Sequence, residues 1–217
     1  MKKSYFLFVA VILYFSITSS AQIAKGSILL GGDFGFSTQK TTNSQNADFT
    51  QSGFTISPSY GKAISENLFL GGFASYNYGK NENSFSPGLQ KTNGWGLGMF
   101  IRKYHKLGNG AFSFFAQGSA GYAYYKNYNF YGPDNSTTEK RNSVYVNIYP
   151  GINYKINKRL QLETGFNNLV SLGYYHSINE MSGIGGVSKT TSNGFNLNTS
   201  INNLSNLYVG FRVLISK

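Results

Sequence analysis

The sequence predicts an all-β protein, an eight-stranded antiparallel up-and-down transmembrane β-barrel. Three observations carry this prediction. Apolar and polar residues alternate along several short segments, as they do in strands with one apolar and one polar face. The polar face consists mainly of Gly, Asn and Ser rather than Lys and Glu, which is typical of the interior of a membrane barrel. Charged residues make up only 12% of the chain, against about 25% in ordinary soluble domains.

The hydrophobic pattern excludes spanning helices in the mature chain. After residue 21 there is no long apolar run, and a spanning helix needs about 20 consecutive apolar residues. A closed barrel is the other structure that can satisfy its backbone hydrogen bonds inside a bilayer. Nothing marks a boundary between two domains, so we interpret residues 22–217 as one outer-membrane β-barrel domain.

The first 21 residues have the three parts of a cleaved secretory signal peptide. Lys2 and Lys3 precede an apolar core from Tyr5 to Phe15, and the small residues at 19–21 form a cleavage site. The mature protein is therefore expected to begin at Gln22. The chain contains no cysteine, which excludes a disulfide framework, a thiolate nucleophile and any metal site built on cysteine.

Eight segments have the alternating pattern, and the clearest is Val144–Tyr154. They lie near residues 27–37, 52–62, 68–78, 94–104, 111–125, 144–154, from 160 onward, and 207–215. The stretch Phe195–Asn206 fits neither a simple loop nor the last strand. It could extend the final hairpin above the membrane, or belong to a ten-stranded arrangement that also splits the segment after Asn167.

The connections between these segments alternate in length. Short basic ones occur near residues 63–67, 105–110 and 157–158, and long polar ones at 38–51, 79–93, 127–142 and 178–193. Outer-membrane barrels have short periplasmic turns and long external loops. We therefore expect both termini on the periplasmic side and the long loops outside the cell.

Four charged residues lie on the polar side of four predicted strands: Asp33, Arg102, Glu163 and Arg212. A cation on the lipid face at mid-bilayer costs about 2 to 4 kcal/mol, whereas an inward position carries no such penalty. We predict that the four form an ionic network in the barrel interior, where the planar guanidinium of Arg can bridge two carboxylates. This network is either a polar gate for ions or a plug that holds the lumen closed. The interior of an eight-stranded barrel is just wide enough to be filled by side chains, and the large inward residues Phe100, Tyr145 and Tyr149 would narrow it further.

The chain resembles the small outer-membrane β-barrel domain family, also called porin-family or OmpA/OmpX-like β-barrel proteins. The resemblance rests on FIRKY at 100–104, FFAQG at 114–118, YPGINY at 149–154 and LQLE at 160–163, and it covers most of the mature chain. It implies an eight-stranded up-and-down barrel in the outer membrane of a Gram-negative cell envelope. It carries no catalytic residues to transfer.

Other chemistry finds little support in the sequence. His105 and His176 fall at opposite ends of the predicted strands and cannot share a metal. His176, Ser177 and Glu180 are the one cluster that could imitate a catalytic triad, but adjacent side chains on a strand point to opposite faces. We expect no cofactor and no metal. We also expect no binding of nucleic acid, since the basic residues that give the net charge of +11 are spread over the chain and form no stripe.

The partners expected from the sequence are lipids and the machinery that inserts barrels. The lysines and arginines near the outer strand ends would meet anionic headgroups, including lipopolysaccharide, and insertion would require the barrel-assembly machinery. Three functions remain open. The first is a non-enzymatic structural or surface-interaction role through the external loops, the second a narrow pore for ions or small solutes, and the third a lipid-modifying enzyme. The sequence does not identify an external ligand.

Overall fold

The computed structural model of the chain describes residues 23–42, 48–83, 88–107, 111–132, 135–166, 169–199 and 207–215. Within these ranges the chain forms ten β-strands and no helix. A helical membrane span is accordingly not found anywhere in the part of the chain that the structure describes. The predicted signal peptide, residues 1–21, lies outside the described residues.

The strands follow one another along the chain with short connections. They are β1 (Ile28–Thr42), β2 (Asp48–Ser65), β3 (Leu68–Asn83), β4 (Gly88–Lys106), β5 (Phe112–Gly132), β6 (Asn135–Lys155), β7 (Leu160–Phe166), β8 (Val170–Gly183), β9 (Gly186–Thr199) and β10 (Leu207–Ile215).

Eight of these strands close into an antiparallel barrel. Strands β1 to β6 pair in sequence, β6 pairs with β7, and β7 pairs with β10. The ring is closed between the first and last strands, from Ile28 opposite Ile215 to Gly32 opposite Phe211. The predicted eight-stranded antiparallel barrel is thereby confirmed, with β8 and β9 as two additional strands.

The two additional strands continue the sheet beyond the end of β7, along the part of β6 that β7 does not reach. Strand β6 pairs with β7 near its end, from Gly151 to Lys155, and with β8 farther up, from Ser136 to Ile148. Strand β9 then pairs with β8 as a hairpin. The expectation that residues from 160 onward form one continuous strand was wrong, and the split after residue 167 was anticipated only in the ten-stranded alternative. Phe195–Thr199, which fitted no predicted element, belongs to β9, and residues 200–206 lie outside the described residues.

Most of the predicted long loops are in fact strand. The four polar connections are taken up by hairpins whose strands reach Thr42 and Asp48, Asn83 and Gly88, Gly132 and Asn135, and Gly183 and Gly186. These segments lack an apolar face, so their strand character was not visible in the hydrophobic period. The backbone hydrogen bonds of a hairpin do not require one. Strands of 18, 19 and 21 residues (β2, β4, β5) exceed the 9 to 11 residues that cross a bilayer.

The barrel wall is apolar outside and polar or aromatic inside. Outward side chains such as Phe34 and Met99 are 72% and 64% exposed, whereas inward Phe69 is fully buried. The exposed apolar side chains continue around the barrel on Ile56, Leu97, Ile101, Val146, Ile148, Leu172, Phe195, Leu197, Val209 and Phe211. This distribution is the reverse of a water-soluble barrel and matches the alternation that predicted the fold.

Candidate functional site

The four predicted charges come from four strands and meet in the lumen. Asp33 lies on β1, Arg102 on β4, Glu163 on β7 and Arg212 on β10. Each belongs to the inward set of its strand, because inward and outward side chains alternate with the two-residue period. Strand β4 stands three places from β7 around the barrel, so the contact between Arg102 and Glu163 crosses the lumen.

Glu163 is the centre of the network. Its Oε2 lies 2.6 Å from Nη1 of Arg102, and its Oε1 lies 2.6 Å from Nη2 of Arg212. The hydroxyl of Tyr208 donates a further hydrogen bond to Oε1 over 3.0 Å. The carboxylate is fully buried and both guanidinium groups nearly so, so each oxygen has a charged partner where water cannot supply one.

Arg102 is held by neutral partners as well. Its Nε donates to Oε1 of Gln117 over 2.6 Å, and its Nη1 donates to the hydroxyl of Tyr104 over 3.0 Å. The guanidinium carbon lies 4.4 Å from the centre of the Phe115 ring, within cation–π range. The strand pattern did not predict that Gln117, Tyr104 and Tyr208 belong to the network. Their inward position was readable from the strand period, but their proximity to Arg102 and Glu163 was not.

Asp33 has a looser place at the edge of the network. Its Oδ1 lies 3.4 Å from Nη2 of Arg212, and its side chain is 42% exposed. Arg212 is buried, and its Nε and Nη1 have no hydrogen-bond partner among the described residues. The guanidinium lies over Gly31, where a Cβ would collide with Cδ of Arg212. Glycine at this position therefore creates the space that the arginine side chain occupies.

Aromatic rings fill the lumen around the charges. Successive ring centres are 5.8 Å apart from Phe69 to Tyr104 and from Tyr104 to Phe115, then 6.3 Å to Tyr149 and 6.1 Å to Tyr208. The first three rings belong to the buried core together with Phe100, Leu29 and Leu214, and the rings of Tyr149 and Tyr208 pack against it. The lumen at this level is thus packed like a protein interior.

A cavity of about 290 Å³ lies over this packed layer. Its walls carry neutral polar and aromatic side chains, and its floor includes charges of the network. The lining includes Ser57, Ser59, Asn77, Tyr145, Asn147 and Asp33. Two guanidinium groups and two carboxylates leave the network with no formal net charge, so the arrangement attracts neither cations nor anions strongly from a distance.

The other candidate residues do not assemble a site in the described part of the chain. His176 Nδ1 lies 2.7 Å from Oδ1 of Asn193, Ser177 is buried on the inward face, and Glu180 pairs with Lys140. His105 lies near the opposite end of the barrel, on β4. Among the residues that the structure describes, no group of three or more His, Asp or Glu side chains could hold a metal ion.

Comparison with known proteins shows the fold and not the role. No protein-family model and no curated protein matches the chain. Among solved structures the chain is similar to the outer membrane protein OprG from Pseudomonas aeruginosa, with a TM-score of 0.51, 12% identity, and coverage of 92% of this chain and 100% of that one. It is also similar to a major outer membrane protein from Thermus thermophilus, with a TM-score of 0.51, 9% identity and coverage of 87% and 99%. The chain thus has the β-barrel fold of outer-membrane proteins, as the predicted resemblance implied.

Proposed function

We propose that the protein is a non-enzymatic bacterial outer-membrane barrel with a sealed lumen, and that it acts through the hairpins it raises above the membrane. The observation that carries this proposal is the buried ion-pair network in the lumen, where each carboxylate oxygen of Glu163 lies 2.6 Å from a guanidinium nitrogen. A passing ion would have to separate these pairs in a site that contains no bulk water. Separating a buried pair costs several kcal/mol.

The aromatic layer supports the same conclusion. Phe69 is fully buried and Phe100, Tyr104 and Phe115 are nearly so, so the space left by the charges is filled. A narrow pore for ions or small solutes, the alternative function, would require these rings and the salt bridges to move together. Packed interiors of this kind have discrete arrangements and do not deform continuously.

The raised hairpins are the outer parts of β1–β2, β3–β4, β5–β6 and β8–β9, and their exposed side chains are suited to contact a partner. Along β9 nearly all side chains are exposed, and those near its outer end are largely small and polar, such as Ser188, Thr190 and Ser192. Strand β9 pairs with β8 on one side and ends the order of strands on the other, so among the described residues its outer edge is open to a partner. We place the raised hairpins outside the cell and both termini in the periplasm, since long connections are external in such barrels. Outer-membrane lipids and the barrel-assembly machinery are the partners that this placement implies.

Planar-bilayer recording tests the sealed lumen. We expect no steady conductance from the wild-type protein, because Arg102, Glu163 and the surrounding rings close the path. The double substitution Arg102→Ser with Glu163→Ser removes both charges and most of their volume, and it should produce conductance steps. Heat-modifiable gel migration checks that this variant still closes as a barrel. Steady single-channel steps from the wild type, altered by substitution of Arg102 or Glu163, would instead establish the pore.

Cysteine labelling in intact cells tests the orientation. The chain has no native cysteine, so a single introduced thiol gives an unambiguous signal. Val187→Cys stands at the tip of the β8–β9 hairpin, where the native side chain is 73% exposed, and should react with a membrane-impermeant maleimide. Glu66→Cys in the exposed turn before β3 is the matched control and should react only after the cells are broken. The reverse labelling pattern would place the termini outside.

A further inference from the structure

Four outward lysines form one continuous patch on neighbouring strands. Lys80 of β3 is directly opposite Lys91 of β4, and Lys126 of β5 is directly opposite Lys140 of β6. Lys91 is opposite Tyr128, two residues beyond Lys126 on the same face, so Lys91 and Lys126 are diagonal neighbours. Side chains related in these two ways are within reach of each other on the face of a sheet.

The strand period places all four lysines on the outer wall. Lys80 lies four residues from exposed Tyr76, and Lys91 lies four residues from exposed Trp95. Lys140 lies four residues from exposed Val144, and Lys126 is itself exposed. Even spacing along a strand keeps side chains on one face. The four lysines therefore face outward from the barrel wall and do not belong to the ionic network around Glu163.

The fold itself gains nothing from these pairs. Like charges directly opposite each other destabilise a sheet, and here the arrangement occurs twice in adjacent positions. Lys80 pairs with Glu82 at 2.7 Å, which raises its pKa above the ordinary value, and Lys140 pairs with Glu180 at 3.4 Å. Lys91 and Lys126, at the centre, have no ion pair among the described residues.

An aromatic and apolar surface lies directly below the patch. The Trp95 ring packs against Tyr122 and Tyr124, with ring centres 5.5 and 6.2 Å apart. Farther down the same face, Leu97 and Met99 are more than half exposed. Aromatic residues of this kind sit at the level of lipid headgroups, and the apolar wall below them meets acyl chains. A ligand that contacts both levels must be an amphiphile.

We propose that the patch of Lys80, Lys91, Lys126 and Lys140 binds the phosphate groups of an outer-leaflet lipid whose acyl chains lie along the wall below Trp95. The proposal takes from the proposed function only that this end of the barrel faces outside. Ammonium groups attract phosphate as point charges, and two unneutralised lysines at the centre match a headgroup that carries two phosphates. On β8 and β9 the residues directly opposite each other are Glu180 and Lys189, of opposite charge, so that side does not repeat the cluster of like charges.

Native mass spectrometry of the detergent-solubilised barrel measures this binding directly. The probes are diphosphorylated lipid A, the same lipid without phosphates, and inorganic phosphate as a competitor. We expect wild-type protein to retain the diphosphorylated lipid. The substitution pair Lys91→Gln with Lys126→Gln should weaken retention about 30-fold, since each basic residue near an anionic surface contributes about a factor of five.

The control variant carries the same change of charge at the other end of the barrel. Lys62→Gln with Lys103→Gln alters two exposed lysines of β2 and β4 and should leave lipid binding unchanged. Equal retention by the Lys91 and Lys126 variant, or equal retention of the dephosphorylated lipid, would overturn the proposal. Displacement of the lipid by millimolar inorganic phosphate would show a site for free phosphate and reject the lipid. Lipid binding in detergent micelles does not depend on how the barrel is oriented in cells. A negative binding result would therefore reject the lipid site without affecting the orientation, which the cysteine labelling tests separately.

Discussion

The ion pairs inside the lumen and those on the raised hairpins are built from the same types of side chain, a basic and an acidic residue, but they differ in exposure to solvent. In the lumen, the side chains of Arg102, Arg212 and Glu163 are exposed by 4% or less. On the hairpins, Lys80 and Glu82 are 32% and 53% exposed, and the pairs Lys140–Glu180 and Arg141–Glu139 are similarly accessible. Position in the barrel, and not the type of residue, therefore decides whether a charged side chain is enclosed in the core or accessible to solvent.

The physical cause is the difference in solvation. A buried charge that loses its partner cannot recover hydration, so breaking such a pair is costly. An exposed charge exchanges its partner for water and counterions at little cost, and salt screens what remains. The lumen network is therefore suited to fixing strands β1, β4, β7 and β10 relative to one another, whereas the hairpin charges are free to contact other molecules.

The largest effect is expected from Glu163→Gln. The substitution preserves shape but leaves buried Arg102 without a counter-charge and Arg212 with only the partly exposed Asp33, 3.4 Å away. We expect a loss of about 3 to 5 kcal/mol in the free energy of unfolding. Urea unfolding in lipid vesicles, followed by the fluorescence of Trp95, the one tryptophan of the chain, measures it. A loss below about 1 kcal/mol would mean that the buried network contributes no more to stability than a surface ion pair does.

A smaller effect is expected from Gly31→Ala, which tests whether Arg212 needs the space above glycine. The new Cβ would collide with Cδ of Arg212 and come within 2.6 Å of its Nη1. Overpacking of this kind costs about 1 to 3 kcal/mol. Gly35→Ala is the control on the same face of β1, because its Cβ would only touch Thr55 at 4.0 Å. Equal stability of the two variants in the same unfolding assay would show that Arg212 can occupy another place.

The smallest effect is expected from Glu180→Gln on the raised β8–β9 hairpin. Glu180 lies 3.4 Å from Lys140, and both side chains are about a third or more exposed. We expect a loss of at most about 0.5 kcal/mol, and none at high salt, because the pair is screened. Unfolding at low and at molar salt separates the two conditions. A loss that matches Glu163→Gln and persists in salt would show that the hairpin charges are also structural.

The outward and inward sets of the strands could be predicted because side-chain direction follows the local two-residue period. Asp33, Arg102, Glu163 and Arg212 were placed on the polar side from that period alone, and the structure brings them together. The period failed where neither face is apolar, which is why the hairpins beyond Thr38 and Gly79 looked like loops. The period also did not predict that the seventh strand ends at Phe166 and that β8 and β9 come between it and the last strand of the barrel.

By itself, the sequence determined that the chain forms strands with an apolar outer face and a polar inner one, because alternation and low charge are properties of neighbouring residues. Only the tertiary structure decided which inward groups meet. Arg102 and Glu163 are 61 residues apart in sequence, and Gln117 and Tyr208 join them because the number and stagger of strands fix which side chains face each other across a closed lumen. No local pattern encodes that geometry, since it arises only when β10 pairs with β1 and the sheet becomes a ring.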